Sequence, residues 1–285
     1  MTGLVIGLGL AVLASVALNG SYLLQHAGSR GAPAIDARRP LATARGLLAS
    51  RWWLAGVAAG LAGWAIHVAA LSQAPLSLVQ AFAAGGLVLT VPVAARAFGQ
   101  RLERADQVAV GALVGALALL GLGAAPPVTT AVPVVALALT VAVAAAVALV
   151  VALAPGDTGQ AHRLGAAGGI LYGAADAATK AVTLDAHGLA GILTTPWTPV
   201  VLAASAGAFL CFQRGLQLGP AVPVIALMTA TTAGVSILCG LLAFGDPLAA
   251  TPMFAALHLA AFATAILAGW RLAAAQGSLV PAAEG

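Results

Sequence analysis

With 285 residues of which 61% are hydrophobic and only 7% charged, the chain has too few charges to cover a water-facing surface. Its formal charge is +4, and its basic residues, eleven Arg and one Lys, are strung thinly between apolar runs, which argues against a nucleic-acid partner and for topology signalling. No run shows the short polar/apolar alternation of a barrel, so the expected class is all-α, a polytopic membrane protein with the lipid bilayer as its solvent.

About twenty residues span the hydrocarbon core. On that ruler the sequence predicts nine crossings, at 3–24, 51–72, 76–98, 107–125, 128–152, 163–183, 189–212, 218–243 and 251–270. The first lacks a preceding basic region and a small-residue cleavage site, and is read as a membrane helix instead of a removed signal. One long polar connection, 25–50, follows it and carries Arg30, Arg38, Arg39 and Arg45. The chain divides at about 154, into 1–154 with five helices and 155–285 with four. Gly56 and Gly60, Gly111 and Gly115, and Gly165 and Gly169 are spaced for close helix packing.

Every arginine falls after an odd-numbered crossing. The positive-inside rule then puts the N-terminus outside and the loop 25–50 and the C-terminus in the cytoplasm, and the alanine- and arginine-rich usage fits a plasma membrane. Residues 69–102 and 214–248 resemble one another: Pro75 matches Pro220, and Phe98-Gly99 falls on Phe244-Gly245. The two copies sit on crossings of opposite direction. That is an inverted repeat, the arrangement that lets a membrane protein exchange inward-open and outward-open states.

Several motifs carry a family resemblance: Trp52-Trp53 opening the second crossing, AALSQAPLSLVQ at 69–80, AFGQRL at 97–102, Gly219-Pro220 before Pro223-Val224, and Phe244-Gly245-Asp246. In these the chain resembles the drug/metabolite transporter (DMT/EamA-like) superfamily, in particular its nine-helix branch that includes the NIPA-type proteins described as magnesium transporters. The resemblance covers most of 3–270. It implies alternating-access transport of a small molecule or an ion. It departs from the family pattern at Gln100, where the first half has an acidic residue, and places the second-half acidic position at Asp246. Both sit near helix ends and suggest structural or gating roles.

Ionisable side chains inside membrane helices usually face a cavity or a partner. Asp176 is central in the sixth crossing, with Lys180 one turn later on the same face. Asp176 can bind a cation, a proton or a substrate amine with Lys180 modulating it, or the two can form a packing pair. Lys180 also matches a basic position of the NIPA-like pattern. Tyr172 lies one turn before Asp176. His67 and His258 can exchange protons near neutral pH. Asn19, Gln80 and Gln213 offer donors and acceptors within helices. Pro196, Pro199 and Pro223 lie where a broken helix would expose carbonyls or hinge, which makes Pro196 and Pro223 gating candidates.

The sequence contains no zinc motif, no paired catalytic carboxylates and no nucleophile with its base, so no enzyme and no cofactor is expected. The leading expectation is a secondary transporter of a small metabolite or related solute, with proton coupling open. The alternatives are a magnesium or divalent-cation transporter of NIPA type, and a membrane assembly protein that transports nothing. Monomer and homodimer fit equally well.

Overall fold

A computed structural model of the protein describes residues 2–29, 48–97, 102–122, 124–125, 131–156, 159–186, 188–218, 221–248 and 251–279. Ten helices lie among them: α1 (Thr2–Ser29), α2 (Arg51–Gln73), α3 (Leu76–Ala97), α4 (Arg104–Leu122), α5 (Val134–Leu153), α6 (Gln160–Asp185), α7 (Gly188–Thr194), α8 (Trp197–Leu218), α9 (Ala221–Leu242) and α10 (Pro252–Leu279). Seven are long and apolar enough to cross a membrane: α1 through α5, α9 and α10. The chain is an all-α, multi-span membrane protein.

Local chemistry sets the ends. Ser50 starts α2 by accepting the Trp53 amide at 3.3 Å. The helix stops at Ala74 because the next residue is Pro75, which disfavours helical geometry in its predecessor. At the end of α9, Gly245 takes a φ of +62°, a conformation that suits glycine. The turn brings the Asp246 amide back to the Gly240 carbonyl at 2.9 Å.

The outer faces are greasy, unlike those of a water-soluble bundle, and a few polar side chains, Gln80, Lys180 and Asp246 among them, are buried in an otherwise apolar core. Val108, Leu122, Val135, Val150 and Leu153 are exposed on α4 and α5, as lipid-facing positions should be. α6, with Asp176 and Lys180, is buried along most of its length. It packs against α5, α8 and α9, and touches α2 and α3. In the first half α1 packs on α2 and α3, and α10 closes the bundle against α3, α4 and α9.

Three expectations are corrected. The segment 189–212 is not one helix: it divides at Thr195-Pro196 into α7 and α8. Pro196 therefore does break the chain, whereas Pro199 and Pro223 fall in the first turns of α8 and α9, where a missing N–H costs no intrahelical bond. Among the described residues, Pro92 lies inside a helix, α3. Finally, Gly111 and Gly115 have open space around them and do not pack closely. Gly165 and Gly169 do, since a Cβ on Gly165 would lie 2.8 Å from the Val224 carbonyl oxygen, and one on Gly169 would collide with Thr231 and the Met228 carbonyl. Most of the connection 25–50, with Arg30, Arg38, Arg39 and Arg45, lies outside the described residues, as does Gln100.

Candidate functional site

α6 brings Asp176 to the meeting point of four helices. Its Oδ2 accepts from Gln80 Nε2 of α3 at 2.6 Å and from Ser236 Oγ of α9 at 3.1 Å. Its Oδ1 lies 3.5 Å from His67 Nε2 of α2, within ion-pair range once the imidazole is protonated. A carboxylate in apolar surroundings needs such donors, because burial without them costs several kcal/mol, on the order of 3. Three partners from three other helices hold this one in place. Gln80 and His67 are mostly buried, whereas the Asp176 side chain keeps about a fifth of its surface accessible, 21%.

One helical turn further along α6 lies a second polar layer. Lys180 is 2% exposed, the largest side chain so deeply buried among the described residues. Among the described residues it makes no ion pair with Asp176. Its ammonium donates instead to the carbonyl oxygens of Leu71 and, at 2.9 Å, of Ala74. These are carbonyls at the C-terminal end of α2, which the helix itself leaves without partners. Across the same break, Asp246 Oδ2 accepts the Ser77 amide at 2.7 Å and so caps the first turn of α3. Gly240 makes room for this cap, since a Cβ there would lie 2.7 Å from the Ser77 nitrogen. Ala74, Pro75, Leu76 and Ser77 are all buried, so an irregular stretch of backbone is enclosed in protein, with one helix end satisfied by an ammonium and the next by a carboxyl group. Burial pushes the Asp246 carboxyl up, and the Ser77 amide and hydroxyl and the Lys180 charge pull it partly back.

The family described as Magnesium transporter NIPA matches residues 2–154. The chain belongs to the NIPA magnesium-transporter family. Neither a curated protein nor a solved structure matches it. Membership of a transporter family makes it a non-enzyme, and favours the divalent-cation alternative over the metabolite reading.

A NIPA-type cargo has to meet the side chains present. Among the described residues no three His, Cys, Asp or Glu side chains cluster to hold a metal ion. The donor set around Asp176 consists of one carboxylate, an amide, a hydroxyl and an imidazole. The oxygens suit magnesium, which keeps several waters when bound by one or two carboxylates.

Of the residues singled out from sequence, Asp176, Gln80 and His67 are brought together. Lys180 and Asp246 serve the two sides of the α2–α3 break one layer away, within electrostatic reach of each other, and the paired reading of Asp176 with Lys180 is corrected: each has other partners. Lys180 also does not reach the surface. Asn19 is spent within its own helix, donating to the Ser15 carbonyl at 2.8 Å and the Ser15 hydroxyl at 3.1 Å. Tyr172 is half-buried on α6 one turn before Asp176. Gln213 lies on α8, with its side chain outside the described residues, and His258 is buried in α10. Sequence reasoning missed Ser236 and Ser77. Ser236 lies inside the repeated segment 214–248, a hydroxyl in an apolar helix, and that was the available signal. It also missed a tie between α4 and α10, where Arg271 lies 2.8 Å from Glu103 and 2.7 Å from Asp106.

Proposed function

We propose that this NIPA-family chain carries a divalent cation, magnesium first among them, across the plasma membrane by alternating access, with Asp176 as the carboxylate that meets the ion. The observation that carries this reading is the carboxylate's position. Asp176 is bound at once from α2, α3 and α9, so any ion it takes up competes with contacts that join the two halves. A partly hydrated ion contacts the carboxylate directly. Gln80 then turns its amide oxygen inward and Ser236 offers its lone pairs. His67 must be neutral at that moment, because its imidazolium would repel the ion and hold the carboxylate itself.

An inverted repeat of the nine-helix, DMT-like kind supplies the motion. The likeness of residues 69–102 to 214–248 is supported by matching neighbourhoods: α1 packs on α2 and α3 as α6 packs on α8 and α9. If α6 and α8 cross like the seven more apolar helices, α3 and α9 run in opposite directions. With the arginines on the cytoplasmic side, the N-terminus lies outside, and the Arg271 tie between α4 and α10 lies at the cytoplasmic end, opposite the Lys180 layer. Tyr172, one turn before Asp176 on α6, is the aromatic side chain proposed to line the same route.

The competing cargo is a metabolite bearing an amine, which the same carboxylate, amide and hydroxyl would hold. Purified protein in liposomes loaded with a magnesium-sensitive dye separates the two. Magnesium entry above empty liposomes, with and without a pH gradient, is expected from the parent. It should fall at least tenfold in Asp176→Asn protein that remains folded and monodisperse. Equal magnesium entry in D176N and parent would remove Asp176 from the mechanism, and amine uptake without magnesium uptake would favour the metabolite.

A further inference from the structure

The Lys180 layer has the form of a cation site whose cation belongs to the protein. Its parts are two main-chain carbonyl oxygens at a helix break, Leu71 and Ala74, and a carboxyl group beyond them, Asp246. Carbonyls freed at the break of a membrane helix are a recurrent way to coordinate a cation stripped of water. Here the break belongs to α2 and α3, while the ammonium that fills it comes from α6. The ammonium is attached by a four-carbon stem with several rotatable bonds. Moving that stem, or moving α6 against α2, empties the carbonyls without any change in α2 itself.

We propose that the α2–α3 break is a second cation-binding site, filled in this conformation by the Lys180 ammonium, which a small inorganic or alkylammonium cation can replace. Given the proposed cation carriage, Lys180 is a tethered competitor one turn from Asp176. An ion leaving Asp176 toward this end of α6 reaches the carbonyls only as Lys180 withdraws. Lys180 thereby closes that end of the route with a charge of the same sign as the cargo.

The binding claim can be tested without transport. Lys180→Ala protein in detergent should unfold at lower temperature than the parent, because the Leu71 and Ala74 carbonyls lose their donor inside the protein. Methylammonium chloride should restore about 5 °C or more at saturation, through binding to the folded state alone. The parent should gain little. N-methylglucamine chloride, too large for the site, should restore nothing at equal ionic strength, and sodium and magnesium chlorides report whether bare cations fit as well. The double variant Lys180→Ala with Asp176→Asn should be rescued equally. Rescue that vanishes in the double variant would place the cation at Asp176 and overturn the second site, as would equal gains in parent and K180A. If K180A does not yield folded protein, Lys180→Met is prepared with and without methylammonium. Monodisperse protein only with the amine supports the site, and its absence under both conditions refutes it. Loss of magnesium transport in D176N bears on the carrier reading alone and leaves this result standing.

Discussion

At the scale of single residues, two acidic groups have been given different work by their surroundings. Asp176 is anchored by neutral donors and an imidazole. Asp246 caps a helix and faces an ammonium. The Asp246 carboxyl is raised from 3.8 by burial, so the folded protein holds its proton to higher pH than the unfolded chain does. Its contribution to stability is therefore greatest below that ordinary value and declines as the pH climbs toward the folded one. Asn at 246 cannot titrate. Thermal unfolding of parent and Asp246→Asn in detergent from about pH 4 to 7 should show the parent's relative stability falling as pH rises. A relative stability that grows with pH would mean that attraction to Lys180 outweighs burial. Asp176, His67 and Gln80 were legible in the sequence because a polar side chain within an apolar helix stands out. Their partners were not. Lys180 at i+4 suggested a pair with Asp176, yet a flexible stem let it choose the carbonyls of another helix, which no pattern in the sequence encodes.

At the scale of elements, glycine spacing separates into contacts that matter and contacts that do not. Along α6, Gly165 and Gly169 let α9 approach until backbone meets backbone. Gly169→Ala should cost about 1–3 kcal/mol through overpacking against Met228 and Thr231. Gly111→Ala, on α4 with open space beside it, should be neutral or slightly stabilising, because alanine is the better helix former. Melting temperatures of the two variants in one detergent compare them directly, and equal losses would mean that the α6–α9 approach is looser than described. The same spacing preceded both pairs in the sequence, so period alone could not sort them. What sorted them was which helix lay inside. Hydropathy gave α4 and α5 their lipid-facing character, but the central place of α6 followed from its polar residues. Pro196 pointed to a broken helix within 189–212, but apolar length alone joined the two pieces, α7 and α8, that meet at Thr195-Pro196.

At the scale of the whole molecule, seven of the crossings read from apolar length fall on helices with the length and composition to span lipid, whereas 163–183 falls on the more polar α6 and 189–212 divides into α7 and α8. Threading is a separate matter, resting on the arginines. Single cysteines introduced at positions 39 and 101 of a cysteine-free background should react with a membrane-impermeant maleimide from the same side, and only in inverted vesicles or after permeabilisation. Labelling of one from each side would undo both the orientation and the opposed directions of the two repeated segments. Function was legible only as far as transport. The cargo was not, since a lone carboxylate with an amide and a hydroxyl suits ions and amines alike; the family match tips the balance toward the ion.

The enclosed kink between α2 and α3 has a bearing on biosynthesis. Its carbonyls wait for Lys180 and its Ser77 amide for Asp246, both of which are translated more than a hundred residues later than the turn they complete. Until the ribosome has delivered them, the nascent hairpin faces lipid with bare polar backbone. It must borrow water from the headgroups or shelter in the insertion machinery, so that the early helices reach their final depth only once the late ones arrive.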